Sequence, residues 1–259
     1  MSVKGNIQPT QQSASISPSL YEGETKVAAS RKIAIMVGAF FLISNATFLL
    51  GAFGLVESIL GAPDYLTLVA ANRGQVVLGV LLELTNAVAY LGIAVLVFPL
   101  LKPRFESLAL GYVGFRVLEF VMQTLSDLSP LGLVSVSEAY VSAGAPADAS
   151  FQTLGTLLLA ERYWAFQMVS IFLALGALLF YSMLYRSRLI PRFISVWGLL
   201  GAVTVLISTL LNMFAISISP IIELVIGLPM LLNELFLGVW LIVKGFNAAA
   251  VADLSEKRA

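Results

Sequence analysis

Four ionisable residues lie inside runs of apolar sequence long enough to cross a bilayer: Glu83, Arg116, Glu119 and Glu234. Charges in such positions mark ligand or ion pathways, or pairs that lock helices together. Arg116, Glu119, Gln123 and Asp127 are spaced i, i+3, i+7 and i+11, which sets all four on one helical face. Glu83, Asn86 and Tyr90 repeat the i, i+3, i+7 spacing. A further run carries Asn233 and Glu234, with Glu223 toward its outer mouth, and Asn45, Gln167 and Asn212 add single polar groups. Facing lipid, each charge would cost about 2.5–3.5 kcal/mol on insertion scales. The expectation is one shared interior site built by Glu83, Asn86, Arg116, Glu119, Gln123 and Glu234. One arginine cannot neutralise three carboxylates. A carboxyl in low dielectric holds its proton to higher pH, so a neutral acid, a bound cation or water completes the balance.

Two readings follow. In the first, the cluster binds or moves a small solute, ion, proton or amphiphile. In the second, the protein is a non-catalytic scaffold or sensor and the charges are structural ion pairs that fix helix packing and register. A cavity beside Arg116 favours the first, a dry closed pair the second. Catalysis has the least support, because no nucleophile–base pair can be named. The chain contains neither His nor Cys. That excludes disulfides, thiol nucleophiles, Fe–S clusters and His-held zinc or haem. No HExxH, P-loop or GxGxxG motif is present. Asp127 is placed at a span end and has no Asp partner for aspartyl chemistry, and Lys244 is too close to an end for a Schiff base. An all-carboxylate metal site from Glu83, Glu119 and Glu234 remains open. No cofactor is expected, and a net charge of zero gives no reason to expect nucleic acid as a partner.

The elements that must position these groups are spanning helices. Apolar types make up 59% of the 259 residues and charged types only 12%, against about 25% charged in soluble domains. Mean hydropathy is +0.93. The lipid bilayer is therefore the expected partner of the outer surface. The apolar runs are continuous rather than alternating, which disfavours a barrel and leaves helices. Six spans are read at about 33–56, 76–98, 108–128, 163–185, 193–214 and 222–243. The fold class is all-α: a polytopic six-transmembrane-helix bundle in one domain, 31–247. Residues 1–30 read as a disordered tail and 248–259 as a second tail. At 1.5 Å per residue, Arg116 sits roughly 12 Å and Glu119 roughly 17 Å into the third span.

Orientation follows from the basic residues. Lys4, Lys26, Arg31, Lys32, Lys102, Arg104, Arg186, Arg188, Arg192, Lys244, Lys257 and Arg258 fall on the tails and the even connections, whereas the odd connections hold only Arg73 and Arg162. This predicts both termini on the cytoplasmic side of the plasma membrane. The connection 129–160 is read as the longest, broken at Ala143-Gly144-Ala145-Pro146, with Phe151 to Leu159 either an interfacial turn or an outward extension of the fourth helix. The turns 99–107 and 186–192 are short, so the spans they join should be antiparallel neighbours. Gly38, Gly51, Gly54, Gly198 and Gly201 read as helix-packing contacts. Tyr163, Trp164, Tyr181, Tyr185, Trp197 and Trp240 read as interfacial belts. The Arg186–Arg192 turn could meet anionic lipid, although positive-inside topology already accounts for it.

Three stretches resemble a prokaryotic membrane family, domain of unknown function 4386. Gly114-Phe115-Arg116-Val117-Leu118-Glu119 looks like its Phe-Arg-x-x-Glu element. Leu184-Tyr185-Arg186-Ser187, Leu189-Ile190-Pro191-Arg192 and Gly198 look like its Tyr-Arg-Ser…Pro-Arg turn. Asn233-Glu234-Leu235 and Gly238-Val239-Trp240-Leu241-Ile242-Val243-Lys244-Gly245 look like its carboxyl end. Many members carry a His near the start of the fourth span, where this chain has Tyr163-Trp164-Ala165-Phe166. The resemblance covers about 31–247 and implies a multipass membrane protein of unassigned activity.

Overall fold

A computed structural model describes residues 18–145, 149–216 and 220–256. Helices account for the secondary structure of these residues, and no strand occurs among them. They are α1 (Pro18–Phe48), a π-helical continuation (Leu49–Val56), α2 (Glu57–Leu60), α3 (Tyr65–Ala71), α4 (Arg73–Ser142), α5 (Ala149–Ser187), α6 (Arg192–Met213), α7 (Pro220–Val243) and α8 (Ala248–Glu256). Among the described residues, five helices are long and apolar enough to cross a membrane: Ala28–Leu60, Arg73–Ser142, Ala149–Ser187, Arg192–Met213 and Val225–Val243.

The 70-residue α4 would be about 105 Å long if straight. It is bent back on itself instead. Phe105 leaves helical geometry (φ −133°, ψ 41°), two residues after Pro103. Proline removes a backbone donor and clashes with the preceding turn, so Pro99 and Pro103 weaken the helix where the corner forms. The arms 73–104 and 106–142 then run antiparallel. Gln123 bonds Glu83 at 3.0 Å and Arg73 bonds Glu138 at 2.9 Å, pairings that only a hairpin permits. The Arg186 guanidinium lies 5.1 Å from the centre of the Phe105 ring, and Arg104 reaches Asp253 at 3.0 Å. Both contacts hold the corner.

With α4 folded into two arms, the long helices close a ring. α1 packs on α4 and α7, α7 on α6, α6 on α5, and α5 on α4. Two apolar cores occupy its ends. One gathers Val97, Leu101, Phe105, Phe180, Leu184 and Leu241; the other gathers Val56, Leu60, Leu66, Val69, Val76 and Leu133. Between them lies a layer of buried polar groups. The outer surface is apolar: Leu81 and Val88 are 53% exposed while Glu83 between them is 1% exposed. Charge inside and hydrocarbon outside is the pattern a lipid solvent selects.

Several expectations need correction. The helix containing Arg116 does not stop near residue 128 but runs to Ser142, so the connection to α5 shrinks to 143–148. Ser126, Ser129 and Ser137 in that stretch are turned inward and wholly buried. Residues 151–159 extend the next helix outward, as one of the two readings had it. Residues 18–30, read as disordered tail, are helical. Residues 248–256, read as tail, form α8, whose Ala250, Val251 and Leu254 join the first core. Tyr181, assigned to an interfacial belt, is 1% exposed and packs at Gly198. Residues 1–17 and 257–259 of the expected tails, Pro146 and Asp148 lie outside the described residues, as does the side chain of Glu223.

Small residues allow a close helix crossing. A methyl group at Gly38 would meet the Gly238 carbonyl oxygen at 2.5 Å and Ile242 at 2.8 Å, so α1 and α7 touch through their backbones. Gly114 has open space around it. Gly38→Leu should therefore lower the melting temperature in detergent by the equivalent of about 1–3 kcal/mol or more. Gly114→Ala, in the same bundle, should leave it unchanged or slightly raised.

Candidate functional site

All six sequence-predicted site residues are buried: Glu83, Asn86, Arg116, Glu119, Gln123 and Glu234. They form two adjoining groups rather than one.

The first group centres on Arg116, on the second arm of α4. Its Nη1 donates to both Glu119 oxygens, at 2.9 and 2.6 Å, one helical turn along. The guanidinium carbon lies 4.5 Å from the centre of the Tyr90 ring and 5.4 Å from that of Tyr112. A desolvated cation over an aromatic face gains about 2 kcal/mol, so the two tyrosines replace part of the lost hydration. The Tyr90 hydroxyl donates in a short bond to Glu234 on α7. Asn45 Nδ2 on α1 also donates to Glu234, at 3.3 Å, and to the Phe41 carbonyl at 2.8 Å. No salt bridge involves Glu234 among the described residues.

The second group centres on Arg162 of α5, which the sequence reading had left in an exposed connection. It is 7% exposed. Its Nε donates to Glu57 and its Nη2 to Glu83, each at 2.9 Å, and its Nη1 lies 4.0 Å from Asp127. Gln123 stitches the acids together, donating to Glu83 at 3.0 Å and to Asp127 at 2.8 Å. Asp127, placed at a span end by the sequence reading, is 4% exposed inside the helix. One signal pointed to Arg162. It and Arg73 were the only basic residues on the acidic side of the positive-inside division. An arginine there needs a local reason, and three carboxylates supply it.

The two groups meet at a cavity of about 240 Å³. Every long helical arm contributes to its wall: Asn45 from α1, Asn86 and Tyr90 from the first arm of α4, Glu119 and Gln123 from the second, Phe166 from α5, Val205 from α6, and Glu234 from α7. Asn86 Oδ1 and Glu234 Oε1 are buried without a hydrogen-bond partner among the described residues. Polar groups sit on one side and Phe48, Phe166, Val169 and Leu173 on the other. That division suits a ligand with one polar end. No group of three or more acidic side chains among the described residues has the geometry to hold a metal ion. Glu83 belongs with Arg162, away from Glu119 and Glu234, so the three do not form the metal site left open by the sequence.

Apolar outer faces, helices of spanning length and a charged interior define an α-helical membrane protein. Within that class the chain belongs to the family described as Domain of unknown function (DUF4386), whose model matches residues 36–245. No curated protein and no solved structure matches it.

The Arg162 group has the geometry of a structural tie, since one cation holds acids from the end of the π segment and both arms of α4. Arg162→Met should cost about 3–5 kcal/mol, because Glu83 and Asp127 would be left buried without a cation. Thermal melts of Arg162→Met, Glu83→Gln and the double variant check this. The double variant should recover more than half of the loss.

Proposed function

We propose that the central cavity binds a small solute bearing a positive charge or hydrogen-bond donors, such as a protonated amine with an apolar body. The carrying observation is the surplus of acceptors on the cavity wall. Among the described residues Asn86 Oδ1 and Glu234 Oε1 are both buried and unpartnered, and Glu234 has no salt bridge, while Arg116 pairs through its Nη1 with Glu119. Buried acceptors of this kind are costly unless a donor meets them. A ligand ammonium supplies both donors and charge. The stacked rings of Phe48 and Phe166 favour the same class of ligand, since they offer apolar area to its body. A proton on Glu234 would serve the same balance when the cavity is empty, so ligand and proton would compete.

The chain would cross the bilayer six times, four helices once each and α4 twice, with both ends on the cytoplasmic side. Arg31, Lys102, Arg104, Arg188, Arg192 and Lys244 all fall at one end of the ring, which supports that orientation. The scaffold reading keeps a narrower place, because it accounts for Arg162 and its acids but not for a cavity.

Binding is tested with phenethylammonium and its anionic counterpart phenylacetate. Phenethylammonium should raise the melting temperature of the purified protein in nanodiscs and phenylacetate should not. Glu234→Gln should weaken the effect at least tenfold, and Asn86→Leu should do likewise. Equal responses to both compounds, or an unchanged response in folded Glu234→Gln, reject the proposal. Topology is tested separately, using the absence of native cysteine. In intact cells a membrane-impermeant maleimide should label Asp64→Cys and spare Lys102→Cys until the cells are opened.

A further inference from the structure

We propose a second site, at the cationic end of the ring, that holds the phosphate group of an anionic membrane lipid. Two of the stretches that carry the family resemblance, 184–192 and 238–245, are far apart in sequence and had no role in the central cavity. They converge here. Asn247 N–H donates to the Leu189 carbonyl at 2.9 Å, closing a pocket of about 540 Å³ whose wall includes Arg188, Pro191, Arg192, Trp240, Lys244 and Asn247. The wall presents three cations and no carboxylate. None of the three is in a salt bridge among the described residues, although acids elsewhere at this end are used: Asp253 by Arg104 and Glu106 by Lys102. Arg192 rests over the Tyr185 ring at 5.0 Å, which leaves its fork without an anion.

Three further observations point the same way. First, α6 begins at Arg192 on the pocket wall, and its cap, Pro191, makes no side-chain hydrogen bond to it. The start of a 22-residue helix offers free N–H groups and positive dipole to an anion. The opposing dipole, at the carboxyl end of α7, is already answered. Arg31 donates to the carbonyls of Leu241, Ile242 and Val243 at 3.0, 2.6 and 3.3 Å. Second, Arg188 holds a left-handed backbone (φ 58°). Glycine takes that position after a helix at least cost. An arginine kept in a strained conformation is a signature of a functional position. Third, Trp240 sits on the wall at the end of its spanning helix, the depth at which tryptophan meets lipid headgroups. Basic pockets between helices at that level suit phosphorylated headgroups, and the pocket is too wide for a simple halide.

The test uses the full chain reconstituted in mixed vesicles of phosphatidylglycerol and phosphatidylcholine, with lipid retained on the extracted protein counted by native mass spectrometry. Wild type should retain phosphatidylglycerol in preference to phosphatidylcholine. The variant Arg188→Gly with Arg192→Gln and Lys244→Gln should lose that preference at least tenfold. A second triple variant, Lys32→Gln with Lys102→Gln and Arg186→Gln, removes as many charges from the same end outside the pocket and should keep it. Arg188→Gly alone guards against misfolding. Glycine suits the left-handed backbone, so this variant should melt at or above wild type while retaining less phosphatidylglycerol. Millimolar inorganic phosphate should not displace the lipid. Equal losses in the two triple variants overturn the proposal, as does unchanged retention in the pocket variant. Binding of inorganic phosphate without lipid selection overturns the assignment to lipid.

Discussion

A carboxylate in a low-dielectric interior must find a cation or keep its proton, and the organisation of this protein depends on that constraint. Glu83, Glu119, Asp127 and Glu234 are buried, and among the described residues only Arg116 and Arg162 are buried with them as cations. Stripping an ion of water costs several kcal/mol even after relaxation. Each arginine therefore has to sit where it serves more than one neighbour. Arg162 serves Glu57 and Glu83 directly and Asp127 at longer range. Arg116 serves Glu119 and spreads its charge over Tyr90 and Tyr112. Acids outnumber bases even so, and the surplus falls on Glu234, which lines the cavity with no arginine paired to it among the described residues.

The helix arrangement follows from this electrostatic requirement as much as from apolar packing. Lipid tails are as apolar as leucine, so hydrophobicity alone gives helices little reason to prefer one neighbour in a bilayer. Directional contacts supply the preference. The hairpin in α4 is registered by the Gln123–Glu83 bond, α1 is tied to α7 by Asn45 and Glu234, and α5 is tied to the hairpin by Arg162. The glycine contact between α1 and α7 then brings the backbones close enough for these polar atoms to meet. Close approach and polar pairing reinforce each other at the same crossing.

How much of this was legible in the sequence differs by residue. The i, i+3 spacing of Arg116 and Glu119 is a property of one helix, and the ion pair it announces is present. That Glu83, Asn86, Gln123 and Glu234 face inward was legible too, because the cost of charge in lipid is large enough to fix a face. What could not be read was which acid belongs to which arginine. That depends on the stagger between helices, which a single chain does not encode locally. Arg162 was missed because it sits beside Glu161, Tyr163 and Trp164, a run that resembles a membrane boundary. Asp127 was placed at an end because the third span was read as about 108–128, where Ser126, Asp127, Ser129 and Pro130 together resemble a helix stop. In water they would favour one. Here the helix continues, and the buried serines face other helices rather than solvent.

The π segment joins the two groups and shows why they sit together. It begins right after Phe48, a wall of the cavity, and ends at Val56, directly before Glu57, a partner of Arg162. Its wide turns are bonded i to i+5, as in the Glu57 N–H to the Ala52 carbonyl. Such turns rotate successive side chains by a smaller angle than an α-helix does. Residues beyond the segment are therefore presented on a different face from the one that α1 would otherwise dictate. Asn45 can serve the cavity group while Glu57, on the same continuous helix, serves the Arg162 group. Gly51 lies inside the segment, and a side chain there would strike the Gly79 backbone, so the wide turns rest directly against the first arm of α4. A return of this stretch to α-helix would rotate Glu57 relative to Asn45 and break one of the two alignments. Helical irregularities of this kind recur at functional sites because they cost stability and persist only where a fixed geometry requires them. Here the requirement is that one helix satisfy two charge clusters that are out of phase with its own period.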